Sequence, residues 1–346
     1  MTTVTAIDVG NTSTVVAGPG GVSRFSSVVW IDPTGAAVAG DTAGHPHLVE
    51  LLPVRALTAA RSTRLAGRSV PTEEFTAVLL RRAWRLALDG RPDPTATDAV
   101  LTHPGHWHTD EVGALRRAAD LAGIPSPRFV PAPVAAVVGC RGDLPVRPGD
   151  LVGVLDVGGR TASGAVVVAA GSEPRVVAAT EPDLVGGADL DDALRRLVHE
   201  HADVRGDTGG TSPEGPEVTR WREHLSDATT VQVTRPEWPE PLLVTRREFD
   251  ERVEPTLHAV AALVDQAVDL AGTSADRLAA VLLVGGVAAT PALSDLVAER
   301  LGRLPVRAAD PALAVALGAR GVVSAPRPRR TTEYDPFDLA DLGELP

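Results

Sequence analysis

The chain has 346 residues, of which 44% are hydrophobic and 23% are charged, and its formal net charge at pH 7 is −12. This composition is typical of a globular protein of about two domains and argues against a disordered chain. The excess of acidic residues argues against a nucleic-acid partner, and no apolar run has the length of a membrane span, so we expect no membrane insertion.

The choice of basic residues and the cysteine content limit the reactions and the cellular compartment that we expect for this protein. All 33 basic residues are arginine, so no step that requires a lysine can take place here. The one cysteine, Cys140, excludes an internal disulfide and fits a reducing compartment. The first ten residues lack the basic and apolar regions of a secretory signal. We therefore predict a cytoplasmic protein.

The first half of the chain is predicted to be a strand meander followed by alternating helices and strands. A helix is expected after Thr72, with Phe75, Val78, Leu79 and Leu86 on its buried face. The β–α–β–α order predicts parallel strands beside the meander. In chain order we predict strands within 3–28, an irregular stretch over 30–70, a helix at 73–88, a strand at 99–102, a helix at 110–122, a strand at 128–130 and a helix at 133–138.

The second half is predicted to repeat this scheme. We predict strands at 151–157, 162–169, 175–180, 229–233 and 282–284, a mobile loop at 202–216, and helices at 190–201, 217–226, 247–270 (capped by Thr245), 290–302 and 311–323. The proposed division is domain I over 1–147, domain II over 148–324 with a small subdomain at about 190–275, and a disordered acidic tail over 325–346.

Two similar turns lie near the start of each half. An apolar strand ends in Asp8-Val9-Gly10, and another ends in Asp156-Val157-Gly158. Backbone amides in glycine turns bind phosphate oxygens, and a carboxylate at the strand end can hold Mg²⁺ through its waters. An ordinary hairpin turn is the alternative for either turn alone. The repeat favours two similar domains that hold a triphosphate between their turns.

The order of these pieces resembles the nucleotide-binding domain of the seventy-kilodalton heat-shock chaperones, the DnaK family, over about residues 4–323. Seven segments carry the resemblance: 8–12, 101–104 with its following helix, 133–137, 156–161, 186–191, 284–286 with Pro291, and 314–319. The resemblance implies an α/β, actin-like ATPase fold, in which two duplicated domains flank a nucleotide cleft.

The same resemblance implies the ligands and the residues that hold them. The expected ligands are ATP and Mg²⁺, with Asp8 and Asp156 organising the metal. The implied nucleotide-binding residues are Asp8, Gly10, Asn11, Thr12, Asp156, Gly158, Gly159, Thr161, Gly186, Gly187, Arg222, Ser226, Gly285 and Gly286.

Several positions depart from the family pattern. Ala132 replaces the proton-handling glutamate, and Ser163 replaces an aspartate that helps to hold metal and water. The phosphate-facing lysine is absent, and Arg55, Arg61 and Arg64 are alternatives for its role. Further departures are Glu223 at a usually basic position, Ala289 where an arginine stacks on the base, and Val112 where an arginine relays the nucleotide state.

These departures predict a nucleotide-dependent switch that binds ATP or ADP and an unidentified protein partner, with weak or no hydrolysis. The chain ends about where the family's peptide-binding domain would begin, so a complete chaperone is not expected. Alternatives are an active ATP hydrolase or chaperone of the same family, a small-molecule kinase, and an actin-like filament protein. A metal site at His103, His106 and His108 is a further alternative to an ordinary polar turn.

Overall fold

The computed structural model of the chain describes residues 3–32, 36–40, 48–49, 62–65, 68–88, 97–169, 174–206, 215–236 and 238–324. The predicted tail over 325–346 lies outside these residues, as do Arg55, Arg61 and the side chain of Arg64. No helix within the described ranges combines the length and the apolar character that crossing a membrane requires.

The strands form two consecutive runs, before Thr72 and over 150–179, and are interspersed with helices in the rest of the described chain. In chain order they are β1 (Thr3–Val9), β2 (Ser13–Gly18), β3 (Gly21–Ser26), β4 (Val29–Ile31), β5 (Ala37–Ala39), β6 (Leu48–Val49), β7 (Ser62–Leu65), β8 (Arg68–Pro71), β9 (Thr97–His103), β10 (Arg128–Pro131), β11 (Asp150–Val157), β12 (Ala162–Ala169), β13 (Arg175–Ala179), β14 (Thr230–Val233), β15 (Leu242–Thr245), β16 (Leu278–Val284) and β17 (Val306–Arg307).

The helices carry the apolar faces that cover these strands. In chain order they are α1 (Thr72–Leu88), α2 (Thr109–Ala122), α3 (Ala132–Gly139), α4 (Gly187–Arg205), α5 (Gly215–Asp227), α6 (Arg246–Leu270), α7 (Pro291–Leu301) and α8 (Ala314–Ser324), with 3₁₀ turns at Ala275–Arg277 and Gly286–Ala289.

Two five-stranded sheets have the same arrangement. The first has the order β3-β2-β1-β9-β10 and the second the order β13-β12-β11-β16-β17. In each sheet three antiparallel strands form a meander, and two further strands run parallel to its first strand. The parallel pairing that the β–α–β–α order predicts is therefore confirmed, and the chain repeats one α/β layout twice.

One apolar core joins the two sheets. It contains Ala6 and Val100 from the first sheet and Val154 and Leu282 from the second. Helices α3 and α8 pack against each other and supply further residues of this core. The two halves are thus connected through these helices, beneath the ends of the strands that carry the two Asp-Val-Gly turns.

A smaller unit lies beside the second sheet. Strands β14 and β15 pair in antiparallel fashion and pack with helices α4, α5 and α6. Thr245 caps α6 as predicted, because its hydroxyl accepts from the Glu248 amide at 3.2 Å and its own amide donates to the Glu248 carboxylate at 2.8 Å. Helix α4 begins at Gly187, just before the range of about 190–275 proposed for the small subdomain, and that division stays a prediction.

Some local predictions are wrong. Leu86 was expected on the buried face of α1, but it is 40% exposed. The predicted irregular stretch over 30–70 contains short strands in its described part, and the predicted loop over 202–216 is entered by α4, which runs to Arg205, and by α5, which begins at Gly215. Strand β15 was missed because its apolar residues are too few for a periodic signal.

Candidate functional site

The two Asp-Val-Gly turns have the same hydrogen bond. The Gly10 amide donates to the Ser13 carbonyl at 3.1 Å, and the Gly158 amide donates to the Thr161 carbonyl at 2.9 Å. Each turn therefore closes a hairpin of the meander and fixes the backbone after its aspartate. The amides of Gly10 and Gly158 thus donate within the turns themselves, and phosphate binding by the amides near Gly10, Asn11, Gly158 and Gly159 stays a prediction.

The turns touch each other across the space between the two halves. The Asn11 side-chain nitrogen, Nδ2, donates to the Thr161 hydroxyl at 3.2 Å. Thr12 packs against Gly159 so closely that a Cβ on Gly159 would lie 3.0 Å from the Thr12 Cβ. A side chain at position 159 would separate the turns, which is the physical reason for glycine there.

The two aspartates lie together at the base of these turns. The Thr102 hydroxyl donates to the Asp8 carboxylate at 2.5 Å. Burial raises the pKa of the Asp156 carboxyl to about 7, and the charge of Asp8 adds to the rise. Burial likewise raises the pKa of Asp8, although the hydrogen bond from Thr102 opposes the effect. Both groups would be stabilised in their charged form by a nearby cation.

The donor atoms at this place fit Mg²⁺. The two carboxylates are hard oxygen ligands, and the Asn11 side-chain oxygen is buried and accepts no hydrogen bond. Within the described ranges no group of three or more His, Cys, Asp or Glu residues is arranged to hold a metal ion, so the alternative site at His103, His106 and His108 is not formed. An ion bound by Asp8 and Asp156 would keep several waters, which is the usual state of Mg²⁺ in proteins.

These residues line a large cleft between the two halves, with a cavity volume of about 970 Å³. This volume lies at the upper end of the range for ligand pockets. Twelve of the fourteen predicted nucleotide-binding residues line the cleft: Asp8, Gly10, Asn11, Thr12, Asp156, Gly158, Gly159, Thr161, Gly187, Arg222, Gly285 and Gly286. Gly186 and Ser226 lie outside its wall, and the Ser226 hydroxyl donates to the Arg222 carbonyl at 3.4 Å.

The start of helix α4 supports the second turn. The Gly187 amide donates to the Gly158 carbonyl at 3.0 Å, and the Ala188 amide donates to the Gly159 carbonyl at 2.7 Å. The Asp189 carboxylate accepts from the Gly186 amide at 2.9 Å and completes the helix cap. The Gly186–Gly187 segment thus positions the second turn by direct backbone contact.

The far end of the cleft is held by a buried ion pair. Arg222 on α5 is 6% exposed, and its Nε donates to the Asp191 carboxylate at 2.6 Å. The Thr219 hydroxyl donates to the same carboxylate at 2.7 Å. This end therefore offers a fixed wall of paired side chains. Gly285 lies instead beside the aspartates at the base of the turns, where its φ is 86° and a Cβ would lie 2.6 Å from the Asp156 carboxylate.

Three of the departures from the family pattern line the cleft, namely Ala132, Ser163 and Glu223, whereas Val112 and Ala289 lie outside its wall. Ser163 is the direct cross-strand neighbour of Asp156 in the β11–β12 hairpin. The sequence-based site left out ten charged or titratable residues that the fold brings to the same wall, namely Arg24, His103, His106, Glu111, Arg160, Glu181, Asp191, Asp192, Arg195 and Glu223. Arg160 and Asp191 had a sequence signal, because they belong to segments that carry the family resemblance.

The sequence is similar to known proteins of one family. The profile described as Hsp70 protein matches residues 56–342. The chain belongs to the Hsp70 family. It is 31% identical over 257 residues to the chaperone protein HscA homolog of Pseudomonas fluorescens (strain SBW25), covering 73% of this chain and 40% of that protein. It is 29% identical over 270 residues to a chaperone protein DnaK of Thermus thermophilus, covering 73% of this chain and 43% of that protein.

The Hsp70 match confirms the predicted actin-like ATPase fold, and the two repeated sheets agree with it. The matched region corresponds to a nucleotide-binding domain of the Hsp70 family. The chain spans about two fifths of the length of the curated relatives it matches, with shares of 40% and 43% for the two named above.

Proposed function

We propose that this Hsp70-family domain binds ATP with Mg²⁺ in the cleft between its two Asp-Val-Gly turns. The observation that carries the proposal is the contact of the two turns above a pair of enclosed carboxylates, Asp8 and Asp156. When bound, Mg²⁺ would supply charge compensation for these carboxylates and for the phosphates. The side chains of Asn11 and Thr12 and the second turn around Gly159 border the place where phosphates would lie.

We further propose that ATP hydrolysis is slow or absent. Ala132 cannot accept a proton from water, and Ser163 offers a neutral oxygen where a carboxylate would hold a metal-bound water. General-base assistance is typically worth about 10²–10⁴-fold in rate, and a positioned electrostatic group about 10²–10³-fold. The loss of both effects together leaves little rate enhancement for the chemical step.

Nucleotide binding would then act as a switch for a protein partner. The turns that would hold the phosphates belong to different halves, and the halves are joined through α3 and α8. A ligand that contacts both turns binds more tightly when the two halves are closed around it than when they are apart. It therefore shifts the protein toward the closed arrangement. The partner would recognise a surface that differs between them.

Two experiments test this proposal. Millimolar ATP with Mg²⁺ is expected to raise the melting temperature, because a ligand of the native state stabilises it by about 2.7 kcal/mol at a hundred times its Kd. No rise would contradict nucleotide binding. Single-turnover assays with labelled ATP are expected to show a rate near background, and the double variant Ala132→Glu, Ser163→Asp is expected to be faster. A fast wild-type rate would refute the proposal of slow hydrolysis.

A further inference from the structure

The two aspartates of the cleft occupy equivalent places in the two repeated sheets, but their neighbours on the parallel side differ. Each stands near the end of the first strand of its meander, Asp8 on β1 and Asp156 on β11. The parallel register of β1 and β9 brings Thr102 beside Asp8, whereas that of β11 and β16 places Val284 opposite Asp156. The first sheet therefore offers a hydroxyl at a position where the second sheet offers only methyl groups.

The hydroxyl of Thr102 contacts the aspartate beside it. It donates to Oδ1 of the Asp8 carboxylate at 2.5 Å, and Thr102 is only 6% exposed, so the bond is shielded from bulk water. Within the part of the chain that the structure describes, no residue donates a hydrogen bond to the Asp156 carboxylate. One carboxylate of the pair is thus held by a hydrogen bond to its oxygen, and the other has no donor that fixes it.

The orientation of a carboxylate is important for a small cation. Mg²⁺ requires nearly ideal octahedral geometry and keeps several of its waters, so it binds poorly to a ligand that points in the wrong direction. Residues that hydrogen-bond to metal ligands orient those ligands, and their loss typically lowers metal affinity by about 10- to 100-fold. A carboxylate that is already oriented also loses less conformational entropy when the ion binds.

We propose that Thr102 is a positioning residue for Mg²⁺, an inference that rests on the proposed function. Its hydroxyl engages Oδ1 of Asp8 and leaves Oδ2 for the ion or for one of its waters. The two equivalent aspartates then have unequal roles, because Asp8 is the oriented ligand and Asp156 contributes mainly its negative charge. Thr102 acts through Asp8 and not through the nucleotide.

A purely structural role for the same hydrogen bond makes a different prediction. A buried carboxylate that loses its donor lowers stability whether or not a metal is present. A positioning role affects instead the increase in ATP affinity that Mg²⁺ provides. The two roles are separated by the ratio of the Kd for ATP in EDTA to the Kd in excess Mg²⁺, which we call the magnesium gain.

The test is calorimetric titration of ATP, in EDTA and in excess Mg²⁺, into the wild type and its variants. Thr102→Val and Thr102→Ala remove the hydroxyl, and Thr102→Ser keeps it. Thr5→Val is the matched control, since Thr5 lies on β1, is fully buried and has a hydroxyl without a hydrogen-bond partner. We expect the magnesium gain to fall about 10-fold or more in the two variants without the hydroxyl, with the Kd in EDTA within about twofold of the wild type. Thr102→Ser and Thr5→Val should retain the wild-type gain.

The outcomes distinguish this inference from the proposed function. A magnesium gain within about twofold of the wild type in a folded variant without the hydroxyl overturns the assignment of Thr102, while ATP binding by the wild type still supports the proposed function. A Kd that rises equally in EDTA and in Mg²⁺ indicates a structural role and also overturns the assignment, as does an equal loss of the gain in Thr102→Ser or in Thr5→Val. If the wild type binds no ATP, or binds it without a magnesium gain, the proposed function fails and this inference fails with it.

Discussion

Replacing Asp156 with asparagine is expected to stabilise the metal-free protein at neutral and higher pH. Burial and the charge of Asp8 raise the pKa of the Asp156 carboxyl from 3.8 to about 7. At about 1.36 kcal/mol per pKa unit this rise corresponds to about 4 kcal/mol, and partial access of solvent from the cleft reduces the expected value to about 2–4 kcal/mol. Asparagine has nearly the same shape and never acquires the charge.

The pH dependence follows from the direction of this shift. Below about pH 4 the carboxyl is protonated in both the folded and the unfolded protein and contributes no difference. Between about pH 4 and pH 7 the unfolded chain releases its proton while the folded protein retains it, so wild-type stability falls. Above about pH 7 the difference is constant. The gain of Asp156→Asn over the wild type should therefore grow from pH 4 to pH 7 and then level off.

The assay is urea unfolding at several pH values in the presence of EDTA. Asp98→Asn, at an exposed position on β9, is the matched control and should change stability little at any pH. If Asp156→Asn is less stable than the wild type at pH 8, or its gain does not vary with pH, the account of two repelling carboxylates in the cleft is refuted.

Two further substitutions test the walls of the cleft. Gly285→Ala places a Cβ 2.6 Å from the Asp156 carboxylate in a backbone of positive φ, so it should lower stability by about 1–3 kcal/mol and weaken nucleotide binding in calorimetric titrations. Gly123→Ala, at a φ of 77° with open space around it, should leave binding unchanged, and equal binding by both variants would contradict this reasoning. Arg222→Met leaves Asp191 buried without its partner and should cost about 3–5 kcal/mol in urea unfolding; a cost below about 1 kcal/mol would show that the pair is dispensable.

Features that depend on residues close together in the sequence, or on the order of the elements, were predictable. The two Asp-Val-Gly turns, the cap of α6 at Thr245 and the parallel pairing of β1 with β9 depend on short segments or on element order, and the structure contains all of them. The family resemblance identified twelve residues that line the cleft, because its segments are the loops that meet there.

Features that depend on distant packing were not predictable. Leu86 fits the apolar face of α1, but periodicity does not reveal where the covering elements end, and the side chain is exposed. His106 and Glu181 are far apart in sequence and share the cleft only because the two sheets meet. The use of the Gly10 and Gly158 amides within their turns likewise depends on backbone geometry that a glycine pattern does not determine.

The most direct test of nucleotide binding is calorimetric titration of ATP and of ADP, each with and without Mg²⁺, into the wild type and Asp8→Asn. The account predicts one site per chain, tighter binding with Mg²⁺, and a loss of the Mg²⁺ effect in Asp8→Asn. Absence of binding at millimolar nucleotide, or equal affinity with and without Mg²⁺, would contradict it.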